Sequence, residues 1–286
     1  MQVAMTQMNM VWENREANLK KGEALVKRAR EEGAELVIFP EMSFTGFSMN
    51  LDIAAEEVLR WELLQAEAVP VTPSAQKVLE WSLAYDMAVI FGYVIKREGR
   101  GVNCLMAADR GRVSAYYEKI HPFTYGEEGK YFTGGSRLSK CTLGDISFGM
   151  FICYDLRFPE IFQAVSRDCT AAVVIANWPR ERLEHWRALL QARAIENQCY
   201  LLGVNRIGEG GGLTYAESSI CFDPYGRQVP GHQVILEKGK EEADGNEDAF
   251  GDSLIFVELE PQMAVEYRNR FPLKQDRREE LYRSLL

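Results

Sequence analysis

Apolar residues along this chain follow two spacings, and the order in which the spacings alternate outlines a layered fold. Short runs at Val3 to Met8, Glu35 to Phe39, Met87 to Ile95, Ile146 to Ile152, Ala171 to Ala176 and Cys199 to Asn205 read as buried strands. Between them, Glu13 to Glu32, Ser74 to Tyr85 and Leu183 to Gln198 read as helices. The first carries Leu19, Ala24, Leu25, Val26 and Ala29 at near-helical spacing, with Gly33 as its stop. The last carries Leu183, Trp186, Leu189, Leu190, Ala194 and Ile195 on one side. Asn103 to Ala108 and Val113 to Glu118 flank Asp109-Arg110-Gly111-Arg112 and read as a hairpin. Thr214 to Phe222 reads as one more strand, closed by the turn Asp223-Pro224-Tyr225-Gly226. Strands alternating with helices, interrupted by hairpins, predict an α/β protein of mixed sheets covered by helices.

One stretch has neither spacing. Glu237 to Asp248 is acidic, contains glycine and is almost free of apolar residues, which predicts a surface loop rather than a metal site. The tail from Met263 to Leu286 mixes Tyr267, Phe271 and Tyr282 with charges, a pattern suited to docking on its own body or on a neighbouring subunit. Composition narrows the function classes. The 286 residues, 47% hydrophobic and 26% charged, fit a soluble globular protein with a substantial core. A net charge of −9 disfavours a nucleic-acid partner. No apolar stretch approaches the roughly 18 residues that span a bilayer, so no membrane partner is expected. The N-terminus lacks the basic region and long apolar core of a signal peptide. Six cysteines without a CxxC predict neither a zinc ribbon nor a redox pair, and point to a reducing cytoplasm.

Candidate chemistry gathers where predicted strands end. Cys153 closes an apolar run and precedes Tyr154-Asp155-Leu156-Arg157, after which Phe158-Pro159-Glu160 reads as a helix start. A thiol between strand end and helix start meets backbone N–H groups and a positive dipole, which favour thiolate. The opposing reading is a small buried hydrophobe, as Cys169, Cys199 and Cys221 are read here. Glu41 follows Val37-Ile38-Phe39-Pro40, Lys119 ends Ala115-Tyr116-Tyr117-Glu118, and Asn177-Trp178-Pro179 follows the strand at 171–176. Loops at strand ends are where layered folds assemble a site, so a carboxylate, an ammonium and a thiol are expected to converge. Taken singly, a glutamate placed like Glu41 is more often solvated than catalytic, and a lysine placed like Lys119 more often lies on the surface.

Taken together, Ile38-Phe39-Pro40-Glu41-Met42, Tyr117-Glu118-Lys119-Ile120-His121 and Cys153-Tyr154-Asp155-Leu156-Arg157-Phe158-Pro159-Glu160 resemble the glutamate, lysine and cysteine motifs of the nitrilase superfamily of carbon–nitrogen hydrolases. The likeness runs over almost the whole chain. Pro40 to Met49, Ala176-Asn177-Trp178-Pro179 with His185-Trp186, and Ala192 to Gln198 are similar to the omega-amidase type, which hydrolyses the terminal amide of dicarboxylate monoamides such as 2-oxoglutaramate and succinamate. The resemblance implies a single domain over residues 1–286 folded as a four-layer α-β-β-α sandwich. It also implies a homodimer packed face to face, with the tail at 263–286 at the subunit interface. It further implies a second glutamate between lysine and cysteine. Counting back from Gly134-Gly135 favours Glu128 over Glu127.

In such an enzyme Cys153 attacks the amide carbonyl to form a thioester and Glu41 shuttles the proton. Lys119 and the Tyr154 backbone N–H stabilise the oxyanion, and Glu128 holds Lys119. No cofactor or metal is needed; His121, His185 and His232 are the only histidines, and none is expected to act as base. Arg157 has two readings, a binder of the substrate's distal carboxylate or a structural partner of Asp155 or Glu160. Phe44, Tyr154 and Trp178, with Asn177, are expected to wall the pocket. Alternatives within the class are an N-carbamoyl hydrolase and a true nitrilase; outside it, a catalytically silent module that binds small acids, or a metal-dependent hydrolase.

Overall fold

The computed structural model describes residues 1–236 and 251–285; the acidic stretch Glu237 to Asp248 lies outside them. The chain opens β1 (Gln2–Gln7), α1 (Arg15–Glu31) and β2 (Leu36–Ile38), followed by α2 (Leu51–Ala54), β3 (Ala55–Glu56), and a hairpin of β4 (Arg60–Leu64) and β5 (Glu67–Val71). Next come α3 (Pro73–Ala84), β6 (Ala88–Arg97), β7 (Arg100–Asp109), β8 (Arg112–Glu118) and α4 (Glu128–Tyr131). The second half holds β9 (Lys140–Leu143), β10 (Ile146–Ile152), α5 (Pro159–Val165), β11 (Ala171–Ala176), α6 (Leu183–Asn197) and β12 (Tyr200–Asn205). It closes with β13 (Gly208–Gly210), β14 (Leu213–Tyr215), β15 (Ile220–Phe222), β16 (Gly231–Ile235), β17 (Ser253–Glu258), α7 (Pro261–Arg270) and α8 (Glu279–Leu285).

Two large sheets result. One runs β16-β17-β1-β2-β6-β7-β8, with β3 beside β6; the other runs β15-β12-β11-β10-β9. In each, parallel central strands are flanked by antiparallel ones, the mixed character that the hairpins predict. Period-two alternation assigns the first sheet's faces. Val3, Met5, Leu36, Ile38, Ile90 and Leu105 pack toward the second sheet, in one core with Phe148, Met150 and Val173. Ala4, Val37, Phe39, Val89, Phe91 and Met106 face the other way, onto Leu25 and Val26 of α1 and Val78 and Trp81 of α3. Beyond the second sheet, Phe162 of α5 and Trp186, Leu190 and Ala194 of α6 join the same inner core. The layers are therefore helix, sheet, sheet, helix.

Two sequence expectations need correction. Thr214 to Phe222 is not one strand: β14 pairs only with β13, whereas β15 pairs with β12. The chain bends between them because Ser219 is captured, its hydroxyl donating to Thr6 O and its N–H to Gln7 Oε1. His232, beside Gly231 where the sequence suggests a turn, lies instead within β16 against Phe256. The tail, for its part, makes contacts with its own body. Arg268 donates to the carbonyls of Cys169, Asn197 and Gln198, and Lys274 to Ser166, so tail cations cover the C-terminal ends of α5 and α6.

Candidate active site

Four strands of the two sheets deliver the site's side chains at their C-terminal ends. Glu41 follows β2, Lys119 follows β8, Cys153 follows β10 and Asn177 follows β11. Glu41 sits in a tight turn after Pro40, with Met42 at φ +44°. The turn is fastened by Ser43, whose N–H donates to Gly92 O at 2.9 Å and whose hydroxyl accepts from Gly92 N at 2.8 Å. A Cβ at Gly92 would stand 2.6 Å from Met42 N, so only glycine lets this turn close on β6.

Lys119 is the hub. Its Nζ lies 2.9 Å from Glu41 Oε1 and 2.8 Å from Glu128 Oε2, with all three side chains buried. Asn103 of β7 bridges the two carboxylates, its Nδ2 donating to Glu41 Oε1 at 2.7 Å and Glu128 Oε1 at 3.0 Å. Across the sheet seam, Asn177 N donates to Glu41 Oε2 at 2.9 Å and its Nδ2 to Glu41 O at 2.7 Å. Of the two adjacent glutamates, Glu128 is the one inside, also accepting from Phe123 N; Glu127 is exposed and pairs with Lys130. Burial alone would pull the Lys119 ammonium down, but the Glu128 and Glu41 charges outweigh it and hold its pKa above the usual lysine range. Burial pushes Glu128 up, and the neighbouring Glu41 adds to that against the pull of Lys119.

Cys153 is half-buried and stands at φ +46°, a conformation that costs a non-glycine residue about 1–2 kcal/mol. Asp155 supports it: its Oδ2 accepts from Ile152 N and the Tyr117 hydroxyl, and its Oδ1 from His121 N and Nδ1. The Leu156 carbonyl in the same turn accepts twice from Arg193 of α6. The local features that favour thiolate are outweighed here. Helix α5 begins only at Pro159, after a 3-10 turn over Cys153–Arg157, so its dipole is set back from the sulfur. Burial and the Glu41 charge push the thiol well above its usual range, Lys119 only partly offsetting them.

The cleft above Cys153 is lined by Phe47, Phe123, Tyr154, Arg157, Asn177, Trp178, Pro179, Arg182, Leu213 and Tyr215. Phe44 is not among them. Its ring lies in the outer core about 6.0 Å from those of Phe39, Trp81 and Phe91, and Phe47, three residues on, takes the wall position. The turn over 41–49 has no regular period from which a sequence could tell the two apart. Arg157 pairs with neither Asp155 nor Glu160. Its guanidinium lies 5.0 Å from the Trp178 ring and 3.3 Å from His185 Nδ1. Tyr215 is backed by buried Arg206, 4.6 Å from its ring. Phe47, Phe123, Arg182 and Tyr215 were invisible in sequence because each depends on which loops meet. Asn103 carried one usable signal, a polar residue opening the predicted hairpin strand at 103–108.

A thiol under the influence of a buried carboxylate, beside an ammonium held by two carboxylates, is a set suited to acyl transfer. The family model for carbon–nitrogen hydrolases matches residues 2–238. The chain belongs to the carbon–nitrogen hydrolase family. It is accordingly a hydrolase of carbon–nitrogen bonds other than peptide bonds. It is similar to the 2-oxoglutaramate amidase of Bacillus subtilis, 31% identical over 93% of both chains. It is likewise similar to the omega-amidase YafV of Escherichia coli, 30% identical over 96% of both. Among solved structures, a carbon–nitrogen hydrolase superfamily protein from Xanthomonas campestris, XC1258, superposes with a TM-score of 0.78 at 26% identity, covering 96% of each chain. The Nesterenkonia amidase of the nitrilase superfamily, at 24% identity and a TM-score of 0.79 over the full length of both chains, shares the fold.

Proposed function

We propose that this carbon–nitrogen hydrolase is an amidase that releases ammonia from the terminal amide of a small dicarboxylate monoamide, such as 2-oxoglutaramate or succinamate. The observation that carries the reading is the buried Glu41–Lys119 ion pair at the base of a cleft lined by both Cys153 and Arg157. The names of the B. subtilis and E. coli relatives support the same substrate class.

Each residue has a role its surroundings suit. The resting thiol is neutral, so attack on the carbonyl carbon is coupled to proton transfer from Cys153 to Glu41. As the C–S bond forms, the carbonyl π electrons move to oxygen, and Lys119 with the Tyr154 N–H stabilises that oxyanion. When the tetrahedral adduct collapses, the C–N bond breaks and the Glu41 proton leaves on the amine as ammonia. Water then adds to the thioester, Glu41 taking its proton, and the acid departs as the thiol is restored. Glu128 holds Lys119 in place throughout; Asn103 and Asn177 fix the Glu41 carboxylate. Arg157 engages the substrate's far carboxylate. No step draws on a cofactor or metal.

Ammonia release from 2-oxoglutaramate or succinamate, beside a carbamoyl amine and a nitrile, is the deciding assay. Turnover of the carbamoyl amine alone, or a nitrile outpacing its amide, would replace the substrate assignment. Intact-protein mass spectrometry with a slow amide should trap an acyl adduct on Cys153. A homodimer with the tail at its interface belongs to the same proposal, supported by exposed Phe271, Leu281, Tyr282 and Leu285; a monomeric mass by light scattering would count against it. The six free thiols support a cytoplasmic location.

A further inference from the structure

The cleft over Cys153 contains a second guanidinium besides that of Arg157. Arg182 lies between Pro179 and α6, half-buried, and lines the same walls. Neither arginine has a carboxylate within ion-pair distance among the described residues, in a chain with nine more acidic than basic side chains. Each is held by an aromatic face: Arg157 lies 5.0 Å from the Trp178 ring centre and Arg182 5.7 Å from that of Phe123. Such stacking fixes the plane of a guanidinium and leaves its N–H edges free. Arg157 directs one N–H group at His185; among the described residues no side-chain hydrogen bond engages the Arg182 guanidinium.

Stability does not account for this placement. Arg182 immediately precedes Leu183, the first residue of the fifteen-residue α6, where a positive charge opposes the helix dipole. Two like charges in a cleft otherwise walled by Phe47, Phe123, Trp178, Leu213 and Tyr215 also repel one another in surroundings poorer in water than the open surface. An anion entering between them relieves both costs, and a carboxylate suits the fork geometry of a guanidinium.

We infer that Arg182 is a second carboxylate-binding residue, closing with Arg157 on the acid end of the substrate while the amide end lies at Cys153. The inference rests on the amidase reading and extends it. Selectivity for acids over neutral amides of equal length comes from two cations, and a cationic amine at the distal end is rejected by both. The Arg182 backbone carbonyl, which accepts from Trp178 Nε1 at 2.8 Å, is untouched by a side-chain change, so the local turn survives substitution.

The test compares succinamate with butyramide, which replaces the carboxylate by a methyl group. Arg182→Met should lower kcat/KM for succinamate about 10- to 100-fold, the loss expected of a charge-assisted hydrogen bond, and leave butyramide within about twofold. Arg182→Lys should recover part of the difference. An unchanged succinamate-to-butyramide ratio in Arg182→Met would overturn the inference while leaving the amidase reading intact. If the unaltered enzyme hydrolyses neither amide, the amidase reading falls. The arginine pair is then judged by calorimetric binding of succinate to Cys153→Ala, with and without Arg182→Met. A tenfold or greater weakening on adding Arg182→Met upholds the pair; equal affinity, or no binding at all, refutes it.

Discussion

Asp155 accepts both the backbone N–H and the ring Nδ1 of His121, at 3.0 and 2.8 Å, and so ties the nucleophile's turn to the loop that follows Lys119. The same carboxylate takes the Tyr117 hydroxyl and Ile152 N, and it is fully buried. Asp155→Ala would strand four donors, at a cost of about 2–5 kcal/mol in unfolding free energy. Asp155→Asn, which keeps the shape but turns one acceptor into a donor, should fold with a lower midpoint. Its kcat should fall about tenfold or more with KM little changed, as Cys153 drifts from Glu41. Denaturant melts and steady-state kinetics on the two variants check this; full activity in Asp155→Asn would remove the positioning role.

The reactivity of the thiol provides a second check. Burial and the Glu41 charge raise the Cys153 pKa, so alkylation by a neutral reagent should keep accelerating past the pH of about 8.5 at which a free thiol levels off. Glu41→Gln removes the charge that, with burial, holds that pKa up. Its alkylation inflection should therefore move to lower pH, while amide turnover falls about 100-fold or more for want of the base. Opposite movement of the two readouts is the expected outcome. An inflection that stays in place or rises in Glu41→Gln would contradict the assigned cause.

Removing the hub should cost more than removing either spoke. Lys119→Met leaves Glu41 and Glu128 buried without their cation, a loss of about 3–5 kcal/mol, and deletes an oxyanion donor worth about two to three orders of magnitude in kcat. Glu128→Gln keeps the shape and should lose less activity than Lys119→Met. Thermal unfolding beside kcat measurements separates the two contributions. A Glu128→Gln variant slower than Lys119→Met would promote Glu128 from a holding role to a share in proton transfer.

The tail is expected to act as a brace on the helices behind the site. Arg268 donates to three backbone carbonyls at the end of α6 and before β11, so Arg268→Ala should lower stability by about 1–2 kcal/mol. Because α6 also supplies Arg193 to the Leu156 carbonyl, kcat should fall modestly in parallel. Melting temperature and kcat, measured together, test both; no change in either would mean that the capping bonds contribute nothing.

What the sequence made legible follows from range. The strand ends bearing Glu41, Lys119 and Cys153 are local patterns, as is the alternation that sorts Val3 and Met5 from Ala4 onto opposite faces of a sheet covered on both sides. The thiol's protonation was misread because a local helix start suggested a positive dipole. Burial and the Glu41 charge outweigh that dipole, and both are set by segments elsewhere in the chain. Phe44 and Phe47 exchanged places for a related reason. Both flank a turn whose direction is fixed by Gly92 on another strand. Arg157 found Trp178 and His185 because α6 and the loop after β11 fold over it, and no spacing within 153–160 encodes that.

Base and cation come from one sheet, thiol and Asn177 from the other, so the reacting atoms face each other across the layer whose core includes Ile38, Ile90, Met150 and Ile152. Their alignment is thus set by how two independently hydrogen-bonded slabs slide and tilt on an oily bearing. A methylene removed far from any substrate, in that bearing, can misregister nucleophile and base while every strand keeps its neighbours. Turnover in this architecture is therefore a finer gauge of inter-slab alignment than any melting curve.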